Sequence, residues 1–97
     1  MTISIIIPTV GRPRLLEQLL ESLRWQIFDH SFEIIVIDDR PMANLDYLSF
    51  RTHHCECRVL HGEGKGPARA RNLGVEQAKG TYLLFLDDDA MSWGDHQ

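Results

Sequence analysis

An apolar run that passes directly into three carboxylates is the feature that most constrains how this chain can fold. After Thr81, residues 82–86 are all apolar or aromatic, which is typical of a buried strand, and Asp87, Asp88 and Asp89 follow without a break. Because an unpaired charge is far too costly to bury, the strand has to end at a surface or cleft, where the acids face water, a cation or a ligand. A bound divalent cation would relieve the repulsion between the acids, and a solvated acidic turn is the alternative.

The first part of the chain is predicted to form a strand, a helix and a second strand. Residues 3–7 are almost all β-branched, as in a parallel strand buried on both faces, and we expect Pro8 to end that strand because proline cannot donate to a ladder. Leucines at helical spacing then predict a helix from residue 13 to about residue 26. Residues 32–37 form the second predicted strand, which also ends in acids.

The second half of the chain continues this alternation less regularly. Residues 44–50 suit a short helix, residues 57–60 a short third strand, and residues 68–79 a helix that Gly80 ends. The acid-bearing run is then a fourth strand. The sequence therefore predicts an α/β fold, a Rossmann-like open and mainly parallel sheet of about four strands with flanking helices. In such a sheet the carboxyl ends of the strands meet at one edge.

Composition and charge narrow the class of protein. The 97 residues suffice for one domain, and the net charge of -4 argues against nucleic acid as the main partner. The sequence contains no run of about 18 apolar residues, so we predict no transmembrane helix. It also has no basic stretch followed by a small-residue cleavage site, so we predict no signal peptide. Cys55 and Cys57 are too close in sequence for a disulfide framework. We therefore expect the reducing cytoplasm, which includes the cytoplasmic face of a membrane.

Charged residues near the predicted strand ends are the candidates for chemistry. Asp38 and Asp39 follow the second strand. A carboxylate there commonly accepts a hydrogen bond from a ribose hydroxyl or a base N–H, although it can also cap its own loop. Lys65, Arg69 and Arg71 lie near the start of the helix that precedes the acid-bearing strand, and they either contact phosphate or ribose or balance the acidic edge. We predict nucleotide contacts for Lys65 and Arg71. The glycine-rich loop around Lys65 lacks the spacing of a Walker motif.

Two groups of residues have the side chains that metals use. The three aspartates at 87–89 offer hard oxygen ligands, which suit Mg²⁺ or Mn²⁺ together with water and substrate phosphates. Residues 53–57 are His-His-Cys-Glu-Cys, but zinc sites usually need two ligand pairs and only one Cys-x-Cys is present. We therefore expect a half-exposed lead-in to a strand at 53–57 rather than structural zinc.

Four longer motifs occur in order along the chain. They are Ile-Ile-Ile-Pro-Thr at 5–9, Val-Ile-Asp-Asp at 36–39, Gly-Pro-Ala-Arg-Ala-Arg-Asn-Leu-Gly at 66–74, and Gly-Thr-Tyr-Leu-Leu-Phe-Leu-Asp-Asp-Asp at 80–89. Together they resemble the motifs of the family 2 glycosyltransferases of the GT-A fold, across nearly all of the sequence. The resemblance implies a partial GT-A fold in which residues 1–97 are a single nucleotide-sugar-binding domain. That domain corresponds to the donor-binding half of a transferase and ends soon after the Asp-x-Asp motif.

The resemblance also implies how a nucleotide-diphosphate sugar is bound. Pro8 and Thr9, after the first strand, are expected to lie along the nucleotide. Asp39 is expected to accept a hydrogen bond from the N3–H of uracil, so that the donor is a UDP sugar. Asp88 is expected to face the ribose or the diphosphate.

The metal and the transfer step are implied in the same way. Asp87 and Asp89 have the Asp-x-Asp spacing, with Asp89 as the main ligand of Mg²⁺ or Mn²⁺. The metal would neutralise the departing diphosphate, while a hydroxyl of a glycan, a lipid or another acceptor attacks the sugar with inversion. The catalytic base is expected in the later half of the family's proteins, beyond the matched motifs.

Several departures from the family pattern keep alternatives open. Residues 10–12 and 40–41 differ from the motifs that are common in the family. In the family, the strand that flanks the fourth strand belongs to the later half of the protein. Because that flank would be uncovered here, we expect an exposed hydrophobic edge and self-association of the chain. The main alternative is a non-catalytic nucleotide-binding or assembly module whose partner chain supplies the acceptor half. A phosphoacceptor receiver domain is disfavoured, because the first strand ends in Pro-Thr instead of an acid pair.

Overall fold

The computed structural model of the chain describes residues 2–9, 13–24, 31–39, 45–52 and 54–86. The strands are β1 (Ile3–Thr9), β2 (Phe32–Asp38), β3 (Phe50–Arg51), β4 (Cys55–His61) and β5 (Tyr82–Phe85), and the helices are α1 (Pro13–Arg24) and α2 (Pro67–Gln77), with a 3₁₀ turn at Asp46–Leu48. None of the helices in these ranges is long and apolar enough to span a membrane.

The strands form one five-stranded sheet in the order β3-β4-β2-β1-β5. β1, β2, β4 and β5 run parallel, and β3 pairs antiparallel with β4. This confirms the predicted α/β architecture with its open, mainly parallel sheet. The prediction of a short helix at 44–50 is wrong. The described part of that segment contains a single 3₁₀ turn and the first residue of β3.

Two helices cover opposite faces of the central strands. Leu16, Leu19 and Leu20 of α1 pack on one face and α2 packs on the other, so β1 and β2 are buried on both sides. This double coverage explains why both strands are nearly continuous β-branched runs without polar alternation. The first face includes Ile5, Ile7, Leu16, Leu19, Leu20, Ile34 and Val36, and the second consists of Ile6, Ile35, Ile37 and Ala70.

A glycine in α2 allows that helix to lie close to the sheet. A Cβ on Gly74 would be 2.5 Å from Ile6 Cγ2 and 3.0 Å from Ile37 Cδ1, so any larger residue would push the helix outward. The helix ends at Gln77, with Ala78 as its C-cap, and not at Gly80 as the sequence suggested. Gly80 has a different reason to be small, since its own Cβ would be 2.5 Å from Ser4 Oγ.

The expectation that Pro8 ends the first strand is wrong, because β1 continues through Thr9. Alternate residues of a parallel strand direct their backbone groups to opposite neighbours. Thr9 accepts a hydrogen bond from Asp39 beside β2, whereas Ile6 accepts one from Leu86 after β5. Pro8 therefore faces the side of β5, where the last described pairing is at Ile6 and the absent N–H breaks no ladder bond.

The expectation that the fourth strand is buried is also wrong for the described residues. Tyr82, Leu83, Leu84 and Phe85 of β5 are each between 41% and 55% exposed. β5 lies at the edge of the sheet, and α2 packs against β1 and β2 instead. An apolar strand is buried only if a neighbour covers it, and within the described residues β5 has a neighbouring strand on one side only. The expected exposed hydrophobic edge is confirmed.

Candidate functional site

The carboxyl ends of the parallel strands meet at one edge of the sheet, as predicted. The Asp39 N–H donates to the Thr9 carbonyl at 3.0 Å, and the Gly62 N–H donates to the Asp38 carbonyl at 2.8 Å. On the other side, the Leu86 N–H donates to Ile6 at 3.0 Å. The backbone therefore brings the ends of β1, β2, β4 and β5 together. Asp87, Asp88 and Asp89 follow in the sequence but lie outside the described residues, as does the loop at 10–12.

Asp39 is held at this edge by the loop that precedes α2. Its side chain is buried, and its two oxygens accept one hydrogen bond each, Oδ1 from the Gly64 N–H at 3.0 Å and Oδ2 from the Gly66 N–H at 3.1 Å. The sequence left open whether this acid contacts a ligand or caps a loop, and in the structure it caps a loop more than 20 residues away. A carboxylate has about four acceptor positions, so the described residues leave about two of them for a ligand.

Glycine is required at three positions of the loop at 62–66. Gly64 and Gly66 have φ angles of 71° and 101°, in the left-handed region that side chains rarely adopt. Gly62 has an ordinary backbone, but a Cβ there would run into the Asp39 carboxylate. The loop thus reaches Asp39 only because these positions carry no side chain.

The predicted cations are placed around the same loop. Lys65 lies between the two glycines that donate to Asp39 and is exposed. Arg69 donates to Glu63 at 2.7 Å, and this bond, with the charges of Arg69 and Lys65, lowers the pKa of Glu63. Arg71 is half-buried within α2. Arg69 is therefore engaged within the loop itself, whereas Lys65 and Arg71 stay the predicted phosphate or ribose contacts.

The other predicted nucleotide contacts differ in their accessibility. Pro8 is half-buried, whereas the Thr9 side chain is almost fully buried and its carbonyl is occupied by the Asp39 N–H. Asp38 is likewise almost fully buried. Among the predicted contacts that the structure describes, Pro8, Asp39 and Lys65 therefore belong to the segments that meet at this edge. Thr9 holds the backbone of Asp39 through its carbonyl.

A further buried carboxylate, which the sequence reasoning missed, lies at the opposite edge. Glu33 Oε2 accepts hydrogen bonds from Ser4 Oγ and from the Lys79 N–H, each at 2.6 Å, and Oε1 accepts one from Arg58 at 3.2 Å. Burial raises the pKa of Glu33, but the hydrogen bonds from Ser4 and Lys79 and the Arg58 charge outweigh it and lower the pKa. The available signal was a single acid inside an otherwise apolar strand.

The Cys-x-Cys segment belongs to a strand itself, so the expectation of a half-exposed lead-in to a strand is wrong for Cys55 and Cys57. Cys55 and Cys57 belong to β4 and both are buried thiols. Burial, with a smaller contribution from Cys55, raises the pKa of Cys57 to about 12, which opposes the thiolate form that zinc requires. Among the residues that the structure describes, no three His, Cys, Asp or Glu side chains are placed to hold a metal ion, and His53 lies outside them.

Comparison with known proteins gives consistent matches over most of the chain. The family model described as Glycosyl transferase family 2 matches residues 4–92. An uncharacterized glycosyltransferase of Rickettsia felis is 37% identical over 97 residues, which cover 96% of this chain and 15% of that protein. Poly(ribitol-phosphate) beta-N-acetylglucosaminyltransferase TarS of Staphylococcus aureus is 32% identical over 93 residues, covering 92% of this chain and 16% of TarS.

Solved structures agree with these sequence matches. The crystal structure of S. aureus TarS 1–349 in complex with UDP-GlcNAc has a TM-score of 0.77 and 30% identity, and covers 99% of this chain and 30% of that chain. A second structure of the same TarS segment contains UDP, with the same TM-score. This chain spans less than a third of the length of each of these proteins.

Proposed function

This chain belongs to glycosyl transferase family 2, and from that membership we propose that it binds the nucleotide-diphosphate sugar donor of a glycosyltransferase. The observation that carries the proposal is the meeting of β1, β2 and β5 at one edge, with the buried Asp39 fixed between the Thr9 carbonyl and a glycine loop. Ligands of open α/β sheets bind outside the carboxyl ends of the strands, where this edge lies. The UDP and UDP-GlcNAc complexes of TarS, a similar protein, support a UDP sugar as the donor.

Individual residues have proposed roles in holding the nucleotide. The remaining acceptor positions of Asp39 would take the N3–H of uracil, since an ionised carboxylate only accepts hydrogen bonds. Pro8 and Thr9 form the wall of β1 next to it. Lys65 and Arg71 supply positive charge for the diphosphate, to which a charge-assisted hydrogen bond is about twice as strong as a neutral one.

We also propose that a divalent cation binds beside the nucleotide. β5 brings the chain to this edge at Leu86, which is bonded to Ile6, and the acids follow immediately. The donor set fits, since carboxylate oxygens are the hard ligands that Mg²⁺ and Mn²⁺ prefer. Asp87 and Asp89 would hold the ion, and Asp88 would face the ribose or diphosphate. When bound, the ion would supply Lewis-acid stabilisation of the leaving diphosphate.

The transfer step needs groups beyond those assigned to this chain. We propose inverting transfer to a hydroxyl of a glycan, a lipid or another acceptor, with the catalytic base in the part of the family that lies beyond the matched region. The relatives extend well beyond the segment matched here, which agrees with this division of labour. The residues of this chain would bind and orient the donor and exclude water from its diphosphate.

The test is an amide NMR titration with UDP, with and without Mg²⁺. We expect shifts at Thr9, Asp39 and Lys65 and in the segment 87–89, with tighter binding when Mg²⁺ is present. Asp39→Asn should weaken UDP binding and Asp89→Asn should remove the effect of Mg²⁺. A folded chain whose amides do not respond to UDP would contradict the proposed function.

The exposed edge of β5 favours a second candidate function. A non-catalytic nucleotide-binding or assembly module would bind UDP in the same way but rely on a partner chain for the acceptor half. The apolar residues of β5 would then contact that partner. Transfer from a UDP sugar by the purified chain alone would exclude this candidate, whereas transfer that begins only when a separate partner chain is added would favour it.

We propose that two copies of the isolated chain associate through β5. Its four apolar side chains are exposed, and an edge strand offers unpaired backbone groups to another strand. Leu84→Lys should abolish the dimer in sedimentation velocity because lysine on an edge strand disfavours pairing. Val75→Lys is the matched control, since Val75 is 40% exposed but belongs to α2. A wild-type chain that stays monomeric at millimolar concentration would contradict the association.

A cytoplasmic location is proposed from the cysteines. Cys55 and Cys57 are both thiols, a state that a reducing compartment preserves. Fractionation of cells that express a tagged chain tests this, and recovery in an oxidising compartment would contradict it.

A further inference from the structure

We infer that the loop at 62–66 is a positioning element for Asp39, and through it determines which base the site accepts. The inference rests on the proposed function, because its readout is nucleotide selectivity. A glycine-rich loop just before a helix suggests a phosphate cradle, in which backbone N–H groups point at the ligand. The contacts of this loop give it a different role.

The N–H groups of the loop are directed at Asp39. Gly64 and Gly66 have positive φ angles, and their N–H groups donate to different oxygens of the Asp39 carboxylate at 3.0 and 3.1 Å. Donors that are engaged by a carboxylate are not available to a diphosphate. Lys65, between them, is the part of this turn that a phosphate can reach.

Two separate bonds to two oxygens fix the plane of the carboxylate. One bond would leave the group free to rotate about Cβ–Cγ, whereas two set its orientation. The backbone of Asp39 is fixed as well, because its N–H donates to Thr9 and the preceding carbonyl accepts from Gly62. The remaining acceptor positions therefore point in set directions before any ligand arrives.

A fixed acceptor discriminates between bases. At neutral pH uracil presents an N–H at N3, whereas cytosine presents a lone pair there, which a carboxylate repels. A buried acceptor that cannot rotate away makes that repulsion costly, because it cannot find another partner. The glycines of the loop thus act on selectivity through Asp39, without contacting the base themselves.

Two glycine substitutions disturb Asp39 by different physical routes. A Cβ on Gly66 has no atom within 4 Å, so Gly66→Ala acts only through its φ angle of 101° and shifts the N–H. Gly62→Ala leaves the backbone unstrained but places its methyl group against the Asp39 carboxylate. Gly80→Ala is the control, because it crowds Ser4 at the opposite edge of the sheet.

The experiment is calorimetric titration of each variant of the full chain with UDP and with CDP in the presence of Mg²⁺. We expect the wild type to bind UDP at least about tenfold more tightly than CDP. Asp39→Asn should abolish that preference. Gly66→Ala and Gly62→Ala should reduce it to about threefold or less, while Gly80→Ala should keep the wild-type ratio. If the loop only stabilised the fold, the loop variants would be less stable but would keep the wild-type ratio of UDP to CDP affinity.

The possible outcomes separate this inference from the function on which it rests. If both loop variants keep the wild-type ratio while Asp39→Asn loses it, the positioning role is wrong and the proposed function stands. If the wild type binds neither nucleotide, both are wrong. Should the variants not fold, amide hydrogen exchange in the wild type decides: exchange at Gly64 and Gly66 should be slower than in Asp39→Ala, and equal rates would overturn the inference.

Discussion

Glu33 and Asp39 are buried carboxylates at opposite ends of β2, and they differ in what surrounds them. Glu33, at the amino end, accepts from Ser4 and Lys79 and from the positively charged Arg58. Asp39, just beyond the carboxyl end, accepts two hydrogen bonds from the described part of the chain, both from backbone N–H groups of a glycine loop. Both acids join segments that are distant in sequence. Within the ranges that the structure describes, only Glu33 of these two acids has a cationic side chain as a partner.

This difference separates a structural acid from a candidate ligand-binding acid. The partners of Glu33 lie in β1, in β4 and in the segment that follows α2. The carboxylate therefore connects the sheet to the end of α2. At Asp39 the charge is oriented but keeps acceptor positions, which is the state that suits binding of an N–H donor. Burial alone does not distinguish the two, since both are almost fully buried.

The largest expected effect follows from removing each acid in turn. Glu33→Ala removes the acceptor of the Ser4 hydroxyl and of the Lys79 N–H, and it leaves Arg58 with the Gln77 carbonyl but without its buried carboxylate partner. It should lower the free energy of unfolding by about 3 kcal/mol. Asp39→Ala removes two hydrogen bonds from a half-exposed loop and should lower the free energy of unfolding by only about 1 kcal/mol. It should reduce UDP affinity more than Glu33→Ala does. Urea denaturation and calorimetry measure the two quantities.

Glu56→Ala is the control for that pair of changes. Glu56 lies 3.9 Å from Arg58 and 3.3 Å from Arg51, but it is much more exposed than Glu33. Its loss should therefore cost less than about 0.5 kcal/mol. Equal losses for Glu33→Ala and Asp39→Ala would break the distinction between the two ends.

The next effect comes from a glycine at each end. A Cβ on Gly80 would be 2.8 Å from the Ser4 nitrogen and 2.9 Å from the Thr2 carbonyl oxygen, both backbone atoms that cannot move aside. Gly80→Ala should cost about 2 kcal/mol in urea denaturation, whereas Gly62→Ala meets the side chain of Asp39 and should cost about 1 kcal/mol. A greater loss of stability for Gly62→Ala would show that the carboxyl end is the more rigid of the two.

Sequence periodicity predicted the elements whose burial depends on their own residues. The β-branched runs gave β1 and β2, and the leucine spacing gave α1, because both faces of these strands and one face of this helix are apolar. The apolar pattern of β5 predicted a buried strand, and its exposed edge was expected only from the family resemblance. That exposure depends on whether a neighbour covers the strand, which residues 82–85 themselves do not specify.

Glu33 and Asp39 show the same limit at the level of side chains. Asp39 was recognised as a candidate because it follows a strand, but its partners Gly64 and Gly66 are 25 and 27 residues away. Glu33 was not recognised at all, because its partners come from three separate segments. The continuation of β1 through Pro8 likewise depends on which neighbour that residue faces, a fact of the assembled sheet.

The smallest expected effect is a pH dependence of the free energy of unfolding that comes from Glu33, near the amino end of β2. The folded state lowers the pKa of Glu33 below its ordinary value of 4.5, since the hydrogen bonds and the Arg58 charge outweigh burial. Glu33 therefore contributes stability that is fully present above that pH and is lost as pH falls through the folded pKa. Glu33→Gln should be less stable than the wild type at pH 7, and the difference should shrink in acid.

The measurement is urea denaturation of both proteins from pH 7 to pH 3, with Glu63→Gln as the control. The pKa of Glu63 is also lowered, but by the exposed Arg69, so its share of the acid dependence should vanish in about 0.5 M salt. The share of Glu33 should persist, because a buried pair is screened much less than an exposed one. A stability difference between wild type and Glu33→Gln that stays constant down to pH 3 would show that the carboxylate charge is not what holds this end of the sheet.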